Sequence, residues 1–106
     1  MRTASVAGTQ AGLVAIRGTS DPWESYAREL GVLLHRSRTA ANLSQERVAH
    51  AAGISTFTYR KLEKGESNPG TPANPRLKTL VALAEVLDID VAELLPKKKP
   101  KIAVGR

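Results

Sequence analysis

Residues 44–65 read Ser-Gln-Glu-Arg-Val-Ala-His-Ala-Ala-Gly-Ile-Ser-Thr-Phe-Thr-Tyr-Arg-Lys-Leu-Glu-Lys-Gly, and the spacing within this stretch decides the fold. Ser44 and Ser55 each stand where a hydroxyl caps the free N–H groups of a starting helix. Gly53 falls between the two segments, where a tight turn calls for positive φ. The stretch is therefore predicted as two short helices, 45–52 and 56–64, the second closed by Gly65. Val48, Ala49 and Ala52 give the first a thin apolar face whose small side chains let another helix approach closely.

The second helix has two faces. Tyr59 and Leu62, three apart, point one way and anchor it in the core. Thr56, Phe57, Arg60, Lys61 and Lys64 share the opposite flank, with three cations and no anion among them. Thr methyls and a Phe edge suit the thymine methyl, and Arg or Lys suits the guanine acceptors. A helix about 10–12 Å across fits the major groove. Two short helices around a glycine turn, the second cationic on its free side, are the layout of a helix-turn-helix. Two alternatives stay open at this point: Phe57 as a core aromatic, and Arg60 and Lys64 as an ordinary solvated face. At the start of the first of these helices, free N–H groups suit a phosphate oxygen, with Gln45 placed to donate a further hydrogen bond.

Outward from this stretch, Asp21-Pro22-Trp23-Glu24 is a helix start, with a capping Asp, Pro at the first position and Glu where a capping box places it. Trp23, Tyr26, Ala27, Leu30, Leu33 and Leu34 then recur at helical spacing, predicting a helix over 22–40 with Trp23 as core or packing anchor. Gly31 weakens that helix by about 1 kcal/mol relative to Ala, though it also permits close packing. Downstream, 66–74 reads as a loop stiffened by Pro69 and Pro72. Asn74 is expected to cap a helix over 75–87 whose stripe is Leu77, Leu80, Val81, Ala84 and Leu87. Asp90 and Glu93 form a capping box opening a short fifth helix, 91–95, stopped by Pro96. The prediction is an all-α, compact five-helix bundle with no strands: a disordered arm over 1–20, one domain over 21–96 and a basic flexible tail over 97–106.

Composition narrows the function. The chain has 106 residues and no cysteine, which excludes disulfides and thiolate metal sites. His35 and His50 are not spaced with carboxylates as metal ligands, and neither stands as a base for Ser44, so no catalytic or metal residue is expected. No cofactor is implied. No apolar run spans a bilayer, and Gly8, Thr9, Gln10 and Gly12 interrupt the apolar patch near the start, so a cytoplasmic protein is expected. Of the net charge of +6, the last ten residues hold +5 through Lys97, Lys98, Lys99, Lys101 and Arg106. The preceding 96 residues hold 11 cations and 10 anions, so the pI reflects mainly the tail. A nucleic-acid role has to rest on where the body's charges sit.

Residues 30–95 resemble the DNA-binding domain of the Xre/Cro/phage-repressor family of bacterial regulators, the lambda-repressor-like type. Arg38, Leu43-Ser44-Gln45, Val48-Ala49, Ala52-Gly53-Ile54, Tyr59, Leu62-Glu63-Lys64-Gly65, Asn68-Pro69, Leu80, Leu83-Ala84 and Leu94-Leu95 carry the match. The resemblance implies base reading by Thr56, Phe57 and Lys61 and a grip on phosphate and a base edge by Gln45; Arg60, on the same flank, is expected to read bases with them, and phosphate contacts are expected from Ser44, Gln45, Ser55, Thr58, Lys64 and Asn68. It implies structural roles for Gly53, Tyr59 and Leu62 and an Arg38–Glu63 bridge locking the first helix to the third. The sequence departs from the family at Ser37, usually apolar, and in the longer 66–75 loop. The expected function is a sequence-specific regulator, a repressor bound to double-stranded DNA as a homodimer. The alternative is an antitoxin or other partner-binding regulator on the same domain.

Overall fold

The computed structural model describes residues 21–105, so the arm expected over 1–20 lies outside it. The chain runs through α1 (Pro22–Ala40), α2 (Gln45–Ala52), α3 (Thr56–Glu63), β1 (Glu66–Asn68), β2 (Thr71–Pro72), α4 (Leu77–Leu87) and a 3-10 turn (Val91–Leu94). The described residues are mostly helical, with four α-helices and one two-stranded antiparallel sheet among them.

The first three helices start on side-chain caps. Asp21 accepts from the Trp23 N–H at 2.9 Å, Ser44 from Arg47 N–H at 3.0 Å and Ser55 from Thr58 N–H at 3.0 Å. Glu24 does not complete a capping box; its carboxylate lies 3.5 Å from Arg28, one turn on. Gly53 ends α2 at φ +78°, a left-handed conformation that a side chain would strain.

Downstream of α3 the structure corrects four expectations. The 66–74 loop contains a hairpin, Glu66 opposite Pro72 and Asn68 opposite Thr71, turned by Pro69-Gly70. Strands of two and three residues are too short to show an alternating pattern. Helix α4 begins at Leu77 behind Arg76, with no side-chain cap, so Asn74 does not cap it. Its buried face is Leu80, Leu83, Ala84 and Leu87, leaving Leu77 and Val81 of the expected stripe exposed. The fifth helix is a four-residue 3-10 turn on the Asp90–Glu93 capping box.

The core gathers Ala27, Leu30 and Leu34 from α1, Val48 and Ala49 from α2, Tyr59 and Leu62 from α3, the α4 face and Leu94. Burial of these side chains at roughly 25 cal/mol per Å² is the main favourable term. Gly31, itself buried, is where α1 meets the C-terminal end of α3. A Cβ there would stand 2.7 Å from the Leu62 carbonyl oxygen. Trp23 stacks on Tyr26 with centroids 5.2 Å apart and donates its indole N–H to the Ala73 carbonyl at 2.8 Å. Lys98, Lys99, Pro100 and Lys101 run beside Pro22, Ser25, Tyr26 and Glu29. At 100° per residue these four lie on the opposite side of α1 from Gly31 and Arg38. The basic run is thus turned away from α3.

Candidate nucleic-acid interface

Helix α3 is held from within. Tyr59 is fully buried and Leu62 nearly so. The other flank is open: Phe57 is 68% exposed, Arg60 and Lys64 are exposed, and Thr56 and Lys61 are partly covered. The core alternative for Phe57 is therefore set aside. Lys61 Nζ sits 4.3 Å from the Phe57 ring centroid, one helical turn away, and the cation–π contact orients both side chains together.

Behind this surface lies a buried carboxylate. Glu63, at 7% side-chain exposure, accepts from Arg38 Nε at 2.6 Å, Arg38 Nη2 at 3.3 Å, Tyr59 Oη at 2.6 Å and Gln45 Nε2 at 2.9 Å. His35 Nδ1 lies 3.2 Å from both Glu63 and Arg38. Arg38 also donates Nη1 to the Leu43 carbonyl at 2.8 Å, fixing the entry to α2. Burial alone would raise the Glu63 pKa, but the hydrogen bonds from Arg38, Tyr59, Gln45 and His35 together hold it down at about 2. The same contacts act on the partners. Hydrogen bonding to Glu63 raises the Arg38 pKa, while desolvation, then Glu63, raises that of the Tyr59 phenol. The two-point Arg38–Glu63 pairing ties α1 to α3.

Gln45 joins this cluster to the outer surface. Its Nε2 faces Glu63, and its Oε1 accepts from Arg60 Nε at 3.2 Å. Arg60 Nη2 in turn lies 3.0 Å from Glu46 Oε2. Gln45 and Arg60 are therefore one connected unit, and one amide N–H of Gln45 remains to meet an outside acceptor. Ser44 and Ser55 spend their hydroxyl oxygens on capping, and Ser55 also donates to Thr58 Oγ1 at 2.9 Å. Asn68 is exposed on β1, beyond the end of α3.

Two residues escaped the sequence reading. Glu46 carries no pattern of its own in the sequence, and only the fold reveals its pairing with a residue 14 positions on. Arg76 lines a groove with Thr58, Lys61 and Glu66, bringing a further cation beside α3. The sequence pattern puts Arg76 inside a helix over 75–87, whereas in the structure it stands just ahead of Leu77, where α4 begins. Among the described residues, no group of three His, Asp or Glu side chains is arranged to hold a metal ion, and no helix is long and apolar enough to cross a membrane.

A family model described as a helix-turn-helix domain matches residues 29–95. The chain belongs to the helix-turn-helix domain family. Within it the domain is of the Xre/Cro type, a DNA-binding fold of transcription regulators. The crystal structure of the restriction-modification controller protein C.AhdI from Aeromonas hydrophila is 31% identical to this helix-turn-helix chain. The match covers 67% of this chain and 98% of that one, with a TM-score of 0.59. No curated protein sequence matches it significantly.

Proposed function

We propose that the protein is a cytoplasmic, sequence-specific regulator that binds double-stranded DNA as a homodimer and represses transcription. The observation that carries this reading is the open flank of α3: Thr56, Phe57, Arg60 and Lys61 face outward from a helix whose Tyr59 and Leu62 are locked in the core. Phe57 and Lys61, already paired, offer an apolar edge for a thymine methyl and an ammonium for guanine O6 or N7. Lys64, Asn68 and the start of α2 with Gln45 supply phosphate contacts that fix the register without reading sequence. One such helix spans only a few base pairs. Two copies related by a two-fold axis read half-sites about 34 Å apart, and a dimer seated there blocks access to the DNA it covers.

The test is anisotropy titration of a labelled duplex chosen by binding-site selection, against a scrambled duplex. Wild-type protein is expected to prefer the selected duplex and to load two protomers per site. Lys61→Ala is expected to lose about tenfold in that preference. Lys64→Ala is expected to weaken both duplexes alike and to flatten the dependence of log K on log salt by about one unit. Equal affinity of the wild type for both duplexes would defeat this reading and favour a partner-binding regulator on the same domain.

A further inference from the structure

Glu46 places an anion on a surface otherwise suited to phosphate. An acid in the first turn of a helix is ordinarily explained by the helix dipole. Here its carboxylate reaches across to the recognition helix, 3.0 Å from Arg60 Nη2. The pair is exposed on both sides, and such pairs contribute little to stability. Its consequence lies instead in what it does to Arg60.

Arg60 is held from behind by two acceptors on one edge of the guanidinium, Gln45 Oε1 at Nε and Glu46 Oε2 at Nη2. Gln45 is itself fixed by the buried Glu63. Nη1 has no partner among the described residues, so the end edge formed by Nη1 and Nη2 is left to meet an outside group. A free surface arginine can swing to any phosphate, which reads no sequence. A tethered one keeps its two-pronged edge and loses that reach, and the two prongs match guanine O6 and N7. Beside them stands a carboxylate, which only accepts hydrogen bonds and repels phosphate. The cytosine N4 amine in the same base pair is a donor it can accept from. The spacing agrees: Arg60 and Glu46 stand 3.0 Å apart, and guanine O6 and cytosine N4 are hydrogen-bonded at about 2.9 Å.

We propose that Arg60 and Glu46 read one G·C base pair together, the guanidinium donating to guanine and the carboxylate accepting from cytosine, so that Glu46 is a specificity-determining residue. This rests on the DNA-binding reading above. The experiment is binding-site selection from a randomised duplex library with full-length wild type, Glu46→Ala, Arg60→Ala and the double variant, each first checked for a native circular-dichroism spectrum. The wild type is expected to select a site with a fixed G·C pair. Glu46→Ala is expected to relax that position alone, by about tenfold in discrimination against A·T, and to bind scrambled duplex more tightly because an anion has left the surface. Arg60→Ala is expected to relax the same position, and the double variant to add little, as for two parts of one contact. Unchanged discrimination at every position in Glu46→Ala overturns the proposal while leaving the regulator reading intact. So does a uniform loss of affinity, or a wild-type site without a fixed G·C pair. A wild type that selects no sequence at all overturns both.

Discussion

Replacing Glu63 by Ala is expected to cost about 3–5 kcal/mol, a large part of the roughly 5–15 kcal/mol that holds a domain of this kind together. The reason is what it leaves behind. Arg38, only 12% exposed in its side chain, would keep its charge without a counterion, and the buried Tyr59 hydroxyl would lose its acceptor at 2.6 Å. Urea denaturation followed by circular dichroism should show a much lower midpoint with little change in slope. The same residue sets the acid limit of the fold. Its folded pKa of about 2 lies below the ordinary 4.5, so its stabilisation is complete above about pH 4.5 and is lost as pH falls toward 2. A shift of that size corresponds to roughly 3 kcal/mol. Glu63→Ala should therefore be unstable at neutral pH and lose the acid dependence that the wild type shows between pH 4.5 and 2. Matching acid limbs in the two proteins would show that the bridge does not govern this transition.

Gly31→Ala pits two effects against each other. Helix propensity favours alanine by about 1 kcal/mol. Packing opposes it, because the added Cβ would meet the Leu62 carbonyl oxygen at 2.7 Å and the Glu63 carbonyl carbon at 2.8 Å. Both neighbours are backbone of α3, so no side-chain rotation relieves the clash. The α1–α3 crossing has to open, which also stretches the Arg38–Glu63 pair. Forced overpacking of this kind costs about 1–3 kcal/mol, occasionally more, and set against the propensity gain a net destabilisation of about 1–2 kcal/mol is expected. Thermal melting reads the sign: a lower Tm confirms the close approach, while a higher Tm would mean that the helices separate freely and propensity wins.

The first three helices were legible because their signals are local. Asp21, Ser44, Ser55 and Gly53 punctuate the chain at the positions where the structure begins or ends a helix. What lay beyond Gly65 was harder for the same reason. The hairpin is fixed by pairing of Glu66 with Pro72 and by docking of Ala73 against Trp23, neither of which leaves a periodic trace. Asn74-Pro75 imitates a helix start, yet the chain stays extended to Arg76. Leu77 and Val81 fit a helical stripe as well as Leu83 does, and only the position of the neighbouring helices decides which are covered. At the interface, the outward flank of α3 followed from spacing within nine residues. The links from Glu63 through Gln45 to Arg60 and Glu46 join side chains of two helices, and their relative placement is a property of the packed domain.

The lone indole gives the molecule a label of its own. Trp23 is the single tryptophan in 106 residues, and its N–H is tethered to Ala73, the residue just after the hairpin. Its emission wavelength therefore registers whether that hairpin stays seated on α1. Any ligand that pulls on the segment after α3 would change the colour of the protein's intrinsic fluorescence, with no dye attached.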